Sequence, residues 1–161
     1  DTLLVERKRG WGFLNWFMVD EFHVTVAMPI LKELEASSGA QATVASGLAG
    51  LEVIEASSGA FIQTNDVGAA DLEVNASSGA NIKAVGTCDH VKADVSSGAN
   101  MDLSALKCET AELEASSGSS LSAFSSANAT AQASSGASIR IYGGGTFTIE
   151  MSSGGTVRPA N

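Results

Sequence analysis

The chain has 161 residues, a net charge of -9 and a hydrophobic content of 44%. That length supports one domain with a real core, and the composition is not that of a disordered segment. The charge excludes the basic face that a duplex-binding protein needs and attraction to an anionic bilayer, and no apolar run approaches the roughly 20 residues that span a membrane.

The chain opens on Asp1 without the charged start and apolar stretch of a signal peptide, as a trimmed mature chain would. Residues 1–32 form the most unusual stretch. Two strands are expected, about Leu3–Arg7 and Phe22–Met28. Between them "RKRGWGFLNWFMVDEF" gathers Trp11, Phe13, Trp16, Phe17 and Phe22, five of the nine aromatic residues. An open solenoid end exposes core and strand edges, so bulky residues here read first as an end cap. The alternative is a loop tip that presents Trp11, Phe13, Trp16 and Phe17 to a sugar or a partner protein.

Residues 33–161 repeat. The triplet Ser-Ser-Gly starts at Ser37, Ser57, Ser77, Ser96, Ser116, Ser134 and Ser152, at intervals of 20, 20, 19, 20, 18 and 18. A period near 20 indicates a solenoid with one turn per repeat. Three positions before each triplet stand Leu34, Ile54, Val74, Ala93, Leu113, Ala131 and Ile149. One position before stand Ala36, Ala56, Ala76, Val95, Ala115, Ala133 and Met151. The position between is polar: Glu35, Glu55, Asn75, Asp94, Glu114, Gln132 and Glu150. This alternation of period two marks half-buried strands.

Alternation resumes after the triplet. Ala40, Ala60, Ala80, Ala99, Ser119, Ala137 and Gly155 form one inward set, and Ala42, Ile62, Ile82, Met101, Leu121, Ile139 and Val157 the next. A third, looser set is Leu48, Val67, Val85, Leu106, Phe124 and Tyr142. About three short strands per turn are expected, with like residues stacked from turn to turn. The fold read from these columns is all-β: a single-stranded right-handed parallel β-helix of about seven turns. Its windings lie about 4.8 Å apart, and its hand follows the rule for parallel crossovers. The second serine of each triplet keeps the inward phase of the alternation, where stacked hydroxyls would satisfy one another. The glycine permits the bend.

The sequence also resembles a known bacterial group, the auto-transporter adhesin, head GIN domain family. Its members carry recurrent Ser-Gly-Ser-Gly-type phrases at about this period. A Val-x-Val-x-x-Pro-x-Leu-x-x-Leu lead precedes them, present here as "VTVAMPILKELEASSGA" from Val24 to Ala40. The phrase departs from the family's commoner Ser-Gly-Ser-Gly-Asp, and the aspartate is missing. Members usually begin with a further strand segment upstream of "DTLLVE". The resemblance implies a right-handed β-helix, a pectin-lyase-like solenoid, on an exported protein at the cell envelope or surface, with adhesion as its proposed role, and supplies no catalytic residue.

Several side-chain groups are candidates for chemistry. Glu33, Glu35, Glu55, Glu73, Asp94, Glu112, Glu114 and Glu150 fall on outward positions and would stack into an acidic stripe, interrupted by Lys92 and Lys32. Stacked like charges repel, and calcium at Glu35, Glu55, Glu112 and Glu114 would relieve them, although a solvated acidic face needs no metal. Lys83 and Asp102 share a column and would pair. Cys88 and Cys108 stand eight residues before their triplets in adjacent turns, within reach of a disulfide. Two reduced thiols are the alternative, and His90 near Cys88 reads as coincidence.

The functional expectation is a non-catalytic exported structural or binding module, resembling an adhesin head, without a cofactor. Its partners would be a host protein or glycan, or a second copy through the β-helix ends, with neither nucleic acid nor membrane insertion. The alternative is a polysaccharide-active β-helix enzyme using Arg140 or Arg158. Such an enzyme needs acids and bases converging in a groove, and these arginines have no repeated acids beside them.

Overall fold

In a computed structural model, each Ser-Ser-Gly triplet is the sharp corner of one winding. The structure describes Leu3, Val5 and residues 24–28, 30–46 and 48–160. The described residues contain no helix. Their strands are β1 (Glu33–Ala36), β2 (Gln41–Val44), β3 (Leu48–Ala49), β4 (Val53–Ala56), β5 (Phe61–Ala76), β6 (Asn81–Val95), β7 (Asn100–Ala115), β8 (Ser120–Ala133), β9 (Ser138–Tyr142), β10 (Thr146–Met151) and β11 (Thr156–Ala160). Every pairing is parallel. The order runs β1-β4-β5-β6-β7-β8-β9-β11, with β2 and β3 on β5 and β10 on β8. This is a β-solenoid of about seven turns.

The two inward columns counted on either side of the triplets are columns of the structure. Ile54, Val74, Ala93, Leu113 and Ala131 stack in register and are buried, as are Ile62, Ile82, Met101, Leu121 and Ile139. Alanine lines most positions on either side of the corner, with Val95, Ser119, Met151 and Gly155 in its place at the others. The Ser119 hydroxyl donates to the Val95 carbonyl at 2.9 Å.

The corner differs from the expectation. The second serine of each triplet points outward and is exposed. It holds a positive φ, 47° to 55° over the seven copies, and the following glycine holds 69° to 78°. The residue after the glycine donates its N–H to the carbonyl of the first serine, as Ala60 does to Ser57 at 3.0 Å. Two left-handed residues inside a four-residue hydrogen-bonded turn define a type I′ turn. Backbone, not hydroxyl, ties the corners together. The Gly59 N–H donates to the Ser78 carbonyl at 3.1 Å, and the same bond recurs from Gly39 through Gly136.

The arms also differ. In place of three short strands, each middle winding is one extended run, 16 residues in β5 and β7, 15 in β6 and 14 in β8. Bulges bend these runs. Register shifts between Thr64 and Val67, between Lys83 and Val85, and on both sides of Lys107–Cys108. The bulges absorb the changes in repeat length. They also move the third apolar column: Val67 pairs with Gly86, and Gly86 with Leu106, while Val85 pairs with Ala105 and Lys107 with Phe124. Gly86 is required there, since a Cβ would run into the backbone of Val67.

Of the strand pair expected at the start, Leu3, Val5 and residues 24–28 lie outside any strand and are exposed. The remainder, with Trp11, Phe13, Trp16 and Phe17, falls outside the described residues.

Candidate functional site

The acidic columns are the most chemically distinctive face of the described structure. The register places Glu35, Glu55, Asn75, Asp94, Glu114, Gln132 and Glu150 in one line. The outward line two residues earlier reads Glu33, Val53, Glu73, Lys92, Glu112, Thr130 and Thr148. Neutral or basic residues interrupt each line, although Glu35 stacks on Glu55 and Asp94 on Glu114. Asn75 donates through Nδ2 to Glu55 at 3.3 Å and to Glu73 at 3.2 Å. Lys92 stands in register between Glu73 and Glu112. Amides and a lysine inside the stripe lower the cost of stacking like charges at strand spacing.

Beside this line runs a shallow groove in two stretches, of about 280 Å³ and about 250 Å³, that meet at Asp94. Its acid and amide wall is the line just described. Ala56, Ala76, Ala115 and Ala133 contribute to its floor, and the first serines of the triplets form the opposite wall. The groove exists because the corner alanines are too small to fill the angle between arm and turn. It offers carboxylates and hydroxyls at the spacing of the windings.

The calcium candidates do not assemble. Glu35 and Glu55 adjoin each other at the first windings, whereas Glu112 and Glu114 lie in β7, with the windings of Asn75 and Asp94 between. Among the described residues, no three of His, Cys, Asp and Glu converge on a position that would hold an ion.

The other candidates stand as follows. Lys83 and Asp102 are register partners but form no ion pair, because Asp102 Oδ1 accepts from Ser104 N–H at 3.1 Å and Ser104 Oγ at 2.6 Å. Lys32 pairs instead with Glu52, at 2.6 Å and well exposed. Lys107 lies over the Phe124 ring, 3.8 Å from its centroid. Arg140 and Arg158 are register neighbours, both exposed, with Ser122 next in line. Cys88 and Cys108 are joined as a buried disulfide with a Cα separation of 4.5 Å.

One constellation escaped the count from the triplets. Asp71, His90 and Thr110 occupy one column, and His90 Nδ1 lies 2.9 Å from Thr110 Oγ1. The Thr110 hydroxyl donates to the Asp89 carbonyl at 3.3 Å. The network thus assigns the imidazole proton to Nδ1, facing Thr110. His90 donates there and is not a base for the hydroxyl, and Asp71 makes no ion pair with it. The signal for this group was present, since His90 and Thr110 are twenty residues apart and on the same phase.

The fold and its surface define a parallel β-solenoid with a regular, acid-lined face. The family model described as "Putative auto-transporter adhesin, head GIN domain" matches residues 1–145. The chain belongs to this family. No curated protein and no solved structure matches it.

Proposed function

We propose that this chain is a non-catalytic binding module of an exported protein, held at the cell envelope or surface. Its solenoid is a stiff rod that displays recognition elements. Membership of the adhesin head family supports this reading, and one structural observation carries it. Among the described residues, polar groups follow the repeat in lines and do not converge. Even at Asp71, His90 and Thr110, the nearest approach to an acid–base group, the His90 and Thr110 side chains bond each other and the backbone, and Asp71 shares only their column. Catalysis by paired carboxylates or by an activated nucleophile requires the opposite arrangement.

The partner is a host protein or glycan, with Trp11, Phe13, Trp16 and Phe17 as contact residues. Aromatic rings combine apolar faces with polar edges and suit both partner classes. The test is a binding screen of the whole chain against matrix proteins and glycans. A specific hit, weakened at least tenfold by Trp16→Ala without a change in thermal melting, is the expected result. Turnover of an acidic polysaccharide, abolished by Arg140→Ala or Arg158→Ala, would overturn the proposal.

A further inference from the structure

Charge is segregated along each winding. Among the described residues, every acid except Asp66 and Asp102 lies on the stretch that leads into a corner. Lys83, Arg140 and Arg158 lie on the stretch that leaves one, and Lys107 at the bend that follows.

The register gathers part of this basic surface into a patch. Arg140 and Tyr142 of β9 lie beside Ser122 and Phe124 of β8, and Arg140 lies beside Arg158 of β11. Strand alternation turns these side chains away from the core, so their exposure does not depend on what covers the edge of a winding. Both arginines are exposed, and the two aromatic residues are half-buried. Lys107 lies over the Phe124 ring, which leaves Tyr142 as the open aromatic side chain. Asp102 borders the patch beside Ser122, and its Oδ1 already accepts from Ser104. Among the described residues the one ion pair is that of Lys32 with Glu52, so both guanidinium groups are open to a ligand.

This combination has a definite chemistry. A guanidinium fork matches a carboxylate through two parallel N–H···O bonds. The register sets the two forks one strand spacing apart, about 4.8 Å, and Tyr142 follows Arg140 by about 6.6 Å along the strand. An aromatic ring offers an apolar face and a polar edge, as a sugar ring requires. We infer that the patch binds a linear glycan bearing uronic acids, with carboxylates on Arg140 and Arg158 and a sugar face on Tyr142. A bare polyanion would use the arginines alone, whereas the aromatic position beside them favours a ligand with ring faces. The net charge is no obstacle. The acids lie mainly on the other stretch of each winding, and salt screens exposed charges beyond about 8 Å at physiological ionic strength. The inference deepens the binding-module reading by naming a second surface and its ligand. The two fail separately, since Trp16→Ala tests the aromatic segment at the start of the chain and Arg140→Gln tests this patch.

The experiment is isothermal titration calorimetry on the whole chain, with oligomers of hyaluronan and of mannuronate as probes and their methyl esters as uncharged controls. Thermal melting is the folding control for each variant. Binding to at least one of the two acids is expected, without binding to its ester. Arg140→Gln should weaken it roughly tenfold, by loss of a charged, hydrogen-bonded contact. Arg140→Lys should recover only part of that loss, since an ammonium lacks the fork. Asp102→Asn keeps the acceptor for Ser104 and should tighten binding by removing the acid at the border of the patch. Tyr142→Leu should weaken it. The inference is overturned by no binding to either acid, equal binding to the esters, or a preference for dextran sulfate or single-stranded DNA. Binding that is indifferent to Arg140→Gln, or to Tyr142→Leu, would overturn it as well. Binding lost on Trp16→Ala but kept in Arg140→Gln would place the contact at the aromatic segment instead.

Discussion

Each triplet asks a serine to adopt a backbone conformation that suits glycine or asparagine. Ser97, at φ 52°, is typical. A left-handed residue with a Cβ costs about 1–2 kcal/mol, less for asparagine, whose side chain bonds locally. Ser97→Asn supplies the Asn-Gly pair that type I′ turns favour and should stabilise the domain by about 0.5–1 kcal/mol in urea titration. Thr64 is the second residue-scale anomaly. Its hydroxyl is fully buried without a partner, in a column continued by Ala84. Thr64→Val keeps the shape and removes the unsatisfied group. A gain of about 1 kcal/mol is expected, raising Tm by roughly 2–4 °C. The outward placement of Ser38 and its equivalents was not legible by counting. Alternation presumes extended backbone, and two left-handed residues reset the phase.

At the scale of the strand, the inward columns flanking the triplet were legible because nothing interrupts the period of two between them. Beyond Thr64 and Lys83 the bulges shift the register, and a count from the triplet picks Val85 where the structure needs Gly86. A glycine in that column carries no hydrophobic signal, so its neighbour stood in for it. The acidic line was legible for the same reason as the core. Its groove was not, because a groove is the space left by alanines that otherwise read as core. The disulfide belongs to this scale. It joins β6 to β7 beside the bulged stretch, where ladder pairing is broken most, and closes a loop of 20 residues. Replacing both cysteines by alanine should lower stability by about 3 kcal/mol. Urea titration of the double variant against the oxidised wild type measures it.

Over the whole molecule, stability is a sum of windings and their interfaces, since the strand pairings join neighbouring turns. The same regularity shapes the functional reading. A rod of equivalent turns presents lines of like groups, which suit display and contact along a length. Its departures from regularity are the bulges of the middle windings and, in the sequence, the aromatic segment at the start. The family match over residues 1–145 covers the windings up to β9 and stops short of β10 and β11.

All of these arguments rest on windings that stack in one register. The most direct measurement is cross-linking by cysteines introduced at outward-facing positions, read by mass spectrometry of the folded protein with the native disulfide intact. Gln63 and Lys83 are register partners in adjacent windings, and Asp102 is the partner of Lys83 one winding further on. The pair Gln63→Cys with Lys83→Cys should form an intramolecular disulfide, and Gln63→Cys with Asp102→Cys should not, since two strand spacings exceed the bond's reach. Equal cross-linking of both pairs, or of neither, would contradict the stacked solenoid.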